Sequence, residues 1–495
     1  MKKNTISTKT KEEYIIALLY LMLLISSILP KLLPMVYYHD SQRLVVNLIF
    51  LVILSIRFVS GVIISKGSVS LLLIVLIWGS ITSLQSLNPL WSIIEVCLFL
   101  SIAITVIFIF PLFNVWLLSQ LALIFASIQL VYATINYFNY VLIYINNVPF
   151  DPWLVIDGFS NIRFYSQFLT WTIPFLTGYI AVSKNSNYRL IVFSSIVLSW
   201  ILVLMSGTRA FVFGIVSSII AVSWFLPNIW KSYLKWTFIT GTIGTIGSII
   251  LIWLAPSPIA TITANADLAT NDTIFDYLFH VSDRITLWSE TISVIIDRPY
   301  VGIGPMLTAM EGILTRFAHP HNFILQLMAE WGVPFAIFFI IFLGYAAFRW
   351  KYIIAENPTE RESLALPITA SVSAAIAVGL VSGIIVMPIS LLYMTLVLGF
   401  GMALWRTWTP QIQRSAAPLW LAILLLTPVV LLSSVTTMHW FTKILHAPKE
   451  RRCAKSPRFW IYGKISQDEK NPFYPSFSND YGAVKNRQDI STLLH

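Results

Sequence analysis

The chain has 495 residues, 57% of them hydrophobic and 11% charged, with a formal net charge of +10 and a mean hydropathy of +0.78. So few charged side chains cannot cover the outside of a water-soluble domain, whereas a bilayer accepts such a chain as helices of roughly 20 apolar residues. The positive balance does not point to nucleic acid, because much of the Lys and Arg sits in short loops between apolar runs.

In chain order, a polar and basic start at 1–12 leads into an apolar run at 14–29. No small-residue cleavage pattern follows and many apolar runs do, so the run reads as a retained first helix. Runs of spanning length lie at 14–34, 44–65, 68–87, 90–110, 112–138, 164–183, 189–205, 210–226, 234–255, 323–348, 364–384, 386–406 and 417–437. The expectation is an all-α polytopic membrane protein with about 12 to 14 transmembrane helices and a long external loop. With the N-terminus inside, Lys66, Arg189, Lys231, Lys235, Arg349, Lys351, Arg361 and Arg406 fall on the cytoplasmic side, as the positive-inside rule requires. The far side receives fewer, among them Arg43, Arg163, Arg209, Arg284, Arg298 and Arg316. The chain divides into N-terminal transmembrane helices at 1–145, a second transmembrane region at 146–437 that contains the external loop 256–322, and a basic tail at 438–495 expected outside. Cys97 falls in a span and Cys453 in the tail, which gives neither a metal spacing nor a disulfide framework.

The loop at 256–322 is far longer than a plain helix connection. It holds seven Asp or Glu, three Arg and no Lys, so it is not a generic basic patch. Ile285, Trp288, Ile292 and Ile296 recur at helical spacing, which predicts an amphipathic helix inside a small external lid. Three polar groups are expected on this face. They are Ser206-Gly207-Thr208-Arg209, the Asp283-Arg284 pair, and His319-Pro320-His321-Asn322 where the loop re-enters the membrane.

An arginine fork grips two oxygens at once and stays charged, so Arg209 and Arg284 could clamp a lipid diphosphate from two separate segments. Each could equally be an interfacial anchor. Histidine is the side chain suited to take a proton from a sugar hydroxyl near neutral pH, and His321 stands at the interface before a long apolar run. A loop or capping histidine fits the same place. His319 and His321 form an H-x-H pair, but no third ligand is evident nearby, and no metal is expected. Glu330 lies on the face opposite His321 in a regular helix, about 13 Å along, and is assigned to packing. Arg163 and Gln167 share a face beside Asn161; they either bind a sugar or phosphate or satisfy one another. Val301-Gly302-Ile303-Gly304-Pro305 reads as a turn, because a nucleotide loop needs a strand-to-helix context that is missing.

Taken together, SGTRA at 206–210, DRITLWSETISVIIDRPYVGIGP at 283–305 and HPHNFILQLMAEWGVP at 319–334 resemble the O-antigen ligase and polymerase superfamily. GFSNIRFYSQFLTWTIP at 158–174 and VSGIIVMPIS at 381–390 extend the likeness over about 158–400. The resemblance implies a membrane glycosyltransferase of the GT-C type in the bacterial inner membrane, with its site facing the periplasm. It implies an undecaprenyl diphosphate-linked glycan as donor, with no metal, nucleotide sugar or other cofactor. It further implies that Arg209 and Arg284 engage the diphosphate and that His321 is the base, with inversion at the anomeric centre. Asn161, Arg163, Gln167, His319 and Asn322 complete the set of candidate substrate contacts. Ser382 departs from the pattern, standing where some relatives carry an acidic residue.

Within that superfamily the acceptor is lipid A-core for a ligase, a second lipid-linked repeat for a polymerase, or a protein hydroxyl for an O-oligosaccharyltransferase. The basic, aromatic stretch at 456–460 suits an anionic saccharide or a membrane lipid surface. The tail is short for a protein acceptor, which ranks protein glycosylation behind the other two. A rival from another class is a transporter or flippase for the same lipid-linked glycan. It should show buried ionisable residues or broken helices near the midplane in repeated halves. Arg57 and Glu95 are the main charges inside the early spans, no internal repeat is found, and the polar groups gather at one face. That pattern suits catalysis at an interface.

Overall fold

A computed structural model describes residues 38–59, 63–110, 115–183, 186–256, 282–310, 312–315, 317–410, 412 and 414–445. The expected first span at 14–34, the loop at 257–281, Arg316 and the tail from 446 lie outside the described residues. The helices are α1 (Tyr38–Val59), α2 (Lys66–Leu84), α3 (Pro89–Phe108), α4 (Val115–Ile145), the short α5 (Pro152–Val155), α6 (Ile162–Val182), α7 (Ser186–Met205) and α8 (Arg209–Phe225). They continue as α9 (Trp230–Leu254), α10 (Ser282–Asp297), α11 (Phe323–Trp331), α12 (Val333–Ala355), α13 (Pro358–Gly379), α14 (Pro388–Trp408) and α15 (Leu419–Leu445). Two short strands, β1 (Ile63–Ser65) and β2 (Arg414–Ala416), pair antiparallel beside the starts of α2 and α15.

Among the described residues, ten helices are long and apolar enough to cross a membrane, so the chain is an all-α, multi-pass membrane protein. α6 is not one of the ten, although it sits at the centre of the bundle against α13, α14 and α7. Its Ser, Thr and Gln residues lower its hydropathy, but neighbouring helices solvate them. Trp171 Nε1 donates to Ser390 Oγ at 2.9 Å, and Gln129 of α4 donates to Thr172 Oγ1 at 2.6 Å. A helix shielded from lipid need not be apolar throughout; it needs its polar groups paired. Gly178 brings α6 against α13, where an added Cβ would lie 2.8 Å from Pro367 Cα. Close backbone approach through small residues is the usual packing of membrane helices.

The spanning helices alternate in direction. As a result the starts of α1, α6, α8 and α14 share one face with the described part of the loop, 282–310 and 317–322. Phe150 N donates to the Pro256 carbonyl at 3.1 Å, Gln42 to the Gly158 carbonyl at 2.9 Å and Arg43 to the Val386 carbonyl at 2.8 Å, all on this loop face. The opposite face carries Lys66, Arg189, Lys231, Lys235, Arg349, Lys351, Arg361 and Arg406.

Several boundaries differ from the sequence expectation: α4 runs to Ile145 and not 138, α13 begins at Pro358 and not 364, and the expected span to 65 stops at Val59, with Ile63–Ser65 a strand. α1 begins at Tyr38 and not at 44, because His39 to Arg43 are buried by protein: Asp40 packs between His39 and His439 of α15, while Gln42 and Arg43 bond loop carbonyls. The expected single helix at 323–348 is two helices. Gly332 breaks it with φ +86°, a conformation that favours glycine, and a Cβ there would overlap the Tyr300 carbonyl. α15 runs on to Leu445, past the expected boundary at 437, and ends on the loop face.

Candidate active site

Three arginines enter the loop face in the first turns of three helices. Arg163 opens α6, whose N-cap Asn161 accepts from Arg163 N at 2.9 Å. Arg209 opens α8, after a turn in which the Ser206 and Thr208 hydroxyls bond one another. Arg284 lies in the first turn of α10. Helix starts carry unpaired N–H groups and the positive end of the helix dipole, so each guanidinium adds to a field already favourable to anions. All three side chains are exposed.

α10 is the predicted amphipathic helix, and two contacts fasten it to the segment that follows. Trp288 Nε1 donates to the Pro320 carbonyl at 3.1 Å, and Glu290 accepts from Thr315 N at 3.0 Å. Trp288 follows Arg284 by one helical turn, so the bond to Pro320 brings Arg284 to the histidine corner. In that corner His321 has a left-handed backbone, φ +54°, uncommon for a residue with a side chain. Its half-buried ring lies edge-on between His319, with centroids 4.3 Å apart, and Phe317 at 5.2 Å. Asn322 caps α11, accepting from Ile324 N at 3.0 Å and Leu325 N at 3.1 Å.

The electrostatics join these pieces into one cluster. Desolvation, followed by the charges of Arg163 and Arg284, pushes the His321 imidazole down to about 3. Desolvation, then the charges of Arg163 and Arg209, lowers the Arg284 guanidinium from its ordinary value. An arginine remains cationic through such a shift. The result is a neutral imidazole facing fixed positive charge, an arrangement suited to an anion held beside a proton acceptor. Arg163, which acts on both His321 and Arg284, is the central cation.

The other sequence candidates are engaged within the protein. Gln167 does not pair with Arg163; its Nε2 donates to Ser382 Oγ at 2.9 Å. The side-chain oxygens of Asn161 and Asn322 cap helices, and His319 is buried against Gly383. Glu330 is fully buried, accepting from Thr308 N at 3.3 Å, from the Thr308 hydroxyl, and from Gln326 Nε2 at 3.4 Å. The Gly302–Gly304 turn docks on the end of α11, with Ile303 N donating to the Ala329 carbonyl at 2.9 Å and Gly304 N to the Glu330 carbonyl at 3.1 Å. Trp288 as an anchor, Phe317 and Gly383 were not singled out from sequence for these roles. Only Trp288 left a signal there, one turn from Arg284.

No group of three or more His, Cys, Asp or Glu among the described residues is arranged to hold a metal ion. An apolar groove of about 190 Å³ between α2, α3 and α15, lined by Leu72, Leu76, Val96, Leu100, Leu425 and Leu431 among others, shares no residue with the arginine cluster. Residues 194–340 match the family model described as O-antigen ligase. Neither the curated proteins nor the solved structures return a match. The matched segment takes in Arg209, Arg284, His319, His321 and Asn322, and leaves out Asn161, Arg163, Gln167 and Ser382. Over that segment the chain is similar to the O-antigen ligase family, and the ten spanning helices among the described residues make it a multi-pass membrane protein.

Proposed function

We propose that the protein transfers a glycan from undecaprenyl diphosphate to an acceptor hydroxyl at the periplasmic face of the inner membrane, without a metal and with inversion. The observation that carries this reading is the field of Arg163 and Arg284 at a neutral His321, with Arg209 acting on Arg284. Arg209 and Arg284, joined by Arg163, hold the diphosphate. The acceptor oxygen attacks the anomeric carbon from the side opposite the diphosphate, and the bond from that carbon to the phosphate oxygen breaks. The electron pair leaves with the diphosphate, where the guanidinium forks stabilise it. His321 takes the acceptor proton.

The low basicity of His321 in the free enzyme fits this sequence of events. A diphosphate among the arginines cancels much of the charge that depresses the imidazole, so donor binding raises its basicity. The base is then strongest when the donor is in place. The excess of Lys and Arg on the opposite face supports a periplasmic loop face.

Lipid A-core or a second lipid-linked repeat is the favoured acceptor, which makes the protein a ligase or polymerase. A protein O-oligosaccharyltransferase is the alternative within the superfamily. The transporter reading has less support. Arg57 sits near the end of α1 and donates to the Ile109 carbonyl at 2.7 and 3.2 Å, a helix-end contact.

Reconstitution with a synthetic polyprenyl diphosphate glycan tests the proposal, with core lipid, a second lipid-linked repeat and a pilin-like protein as competing acceptors. Transfer to one of them identifies the acceptor class, and turnover is expected to survive exhaustive treatment with a chelator. Arg209→Ala, Arg284→Ala and His321→Ala are each expected to abolish transfer while the protein still inserts. Substantial turnover with any two of the three removes the mechanism.

A further inference from the structure

We infer that His319 and Gly383 form a positioning pair that sets the ring plane of His321. The inference rests on the proposed role of His321 as the proton acceptor.

The segment 380–387 joins α13 to α14 on the loop face and touches both arms of the site. Ser382 Oγ accepts from Gln167, one turn along α6 from Arg163. The Val386 carbonyl accepts from Arg43 at 2.8 Å, which ties the segment to α1. Between them, Gly383 meets the Nε2 edge of the His319 ring. A Cβ at Gly383 would overlap His319 Nε2 and would stand 3.0 Å from Cδ2 and 3.1 Å from Cε1. Contacts that short oblige something to move, and His319, only 1% exposed, has little room. Its ring is the one packed edge-to-face on His321 at 4.3 Å, with 70° between the planes. Gly383 therefore acts on His321 through His319, by leaving the space that the His319 ring fills.

The consequence is geometric. A proton acceptor works only when its nitrogen points at the leaving proton, and a misplacement of about 1 Å can cost about 100-fold. The His321 ring packs edge-on against two neighbours, Phe317 and His319, and these hold its plane. His319 is thus a positioning residue, acting through the ring that packs on His321.

The test compares Gly383→Ala, His319→Ala, His319→Phe and the double variant Gly383→Ala/His319→Ala in the full-length protein. Gly383→Ala and His319→Ala should each lower kcat about 100-fold, with the donor KM within about twofold. His319→Phe keeps a flat ring and should recover to within about tenfold of the original rate. The double variant should be no worse than His319→Ala, since removing the ring removes the clash, and such coupling is what contact predicts. His319→Ala removes atoms rather than adding them, so it decides the matter even if Gly383→Ala or His319→Phe fails to insert.

A second readout does not depend on turnover. Diethyl pyrocarbonate acylates neutral imidazole, and its reaction at His321 can be followed by mass spectrometry. In the unaltered protein His321 should label about as fast at pH 5.5 as at pH 7.5. In Gly383→Ala and His319→Ala a ring released into water should label about tenfold more slowly at pH 5.5, as an ordinary histidine would. Unchanged turnover in His319→Ala beside an inactive His321→Ala overturns the inference and leaves the functional reading standing. So do additive losses in the double variant. If His321→Ala itself keeps turnover, the functional reading falls. The labelling then decides alone: a changed pH ratio keeps the positioning pair, and an unchanged one removes it.

Discussion

The indole N–H of Trp288 donates to the carbonyl of Pro320 at 3.1 Å and so ties the middle of α10 to the residue before His321. Arg284 and the proton acceptor are far apart in sequence, and this bond is the described link that sets their separation. Trp288→Phe keeps the ring and loses the donor. A single hydrogen bond is worth about 1 kcal/mol, so kcat is expected to fall about three- to tenfold. Trp288→Ala loses the packing as well and should fall further. Steady-state kinetics on reconstituted protein checks this. A Trp288→Phe variant that keeps the original kcat would leave the bond without a part in the reaction.

Arg163 lies outside the segment that matches the family, yet its charge acts on both His321 and Arg284. Arg163→Ala is expected to lower kcat/KM for the donor about 10- to 100-fold, the loss typical of a charge-assisted hydrogen bond. Arg163→Lys restores the charge without the planar fork and should recover only part of it. Donor kinetics indistinguishable from the unaltered protein would make Arg163 an interfacial anchor.

The apolar spans could be read from sequence because lipid-facing helices must be apolar along their length. α6 was legible too, despite its polar residues, since its hydrophobic background survives them. The polar start of α1 was not, because hydropathy cannot tell a residue exposed to water from one buried against Gly158 and Val386. The break at Gly332 was hidden for a related reason. Its cause is the approach of Tyr300, a contact between segments far apart along the chain. At the candidate site, Arg209, Arg284 and His321 drew attention as groups of the right chemistry at membrane boundaries. The central place of Arg163 and the seat that Gly383 offers His319 depend on how α6, α11 and the 380–387 segment meet. Periodicity within one segment carries no trace of that.

Glu330 separates a structural residue from a reacting one. Fully buried, it accepts from both the backbone and the hydroxyl of Thr308 and so holds the short 3₁₀ turn before His319. Glu330→Ala leaves the Thr308 N–H buried without an acceptor, while the hydroxyl can still donate to the Ala318 carbonyl at 3.2 Å, at a cost of about 2 kcal/mol. The detergent-solubilised protein should unfold at a clearly lower temperature, with Glu330→Gln between the two. The folded fraction should keep kcat within about threefold. An unchanged unfolding temperature with lost turnover would instead move Glu330 into the reaction.

The pH dependence follows from the direction in which His321 is shifted. Desolvation and the charges of Arg163 and Arg284 disfavour the imidazolium and hold its pKa down at about 3, so in the free enzyme the ring is neutral between pH 5 and 8. The free enzyme governs kcat/KM for the donor, and that profile should therefore show no acid limb from His321 between pH 5 and 8. Once the diphosphate sits among the arginines its negative charge favours the imidazolium, so in the complex the pKa rises. The complex governs kcat, and an acid limb should appear there at a higher pH than in kcat/KM. Because the pKa rises on binding, the protonated enzyme also binds the donor more tightly, and donor affinity should increase as pH falls towards that limb. Arg163→Ala weakens the field in the free enzyme and should bring the two profiles closer together. Superimposable acid limbs in the unaltered protein, measured with saturating and with limiting donor, would mean that the diphosphate and His321 do not share a site.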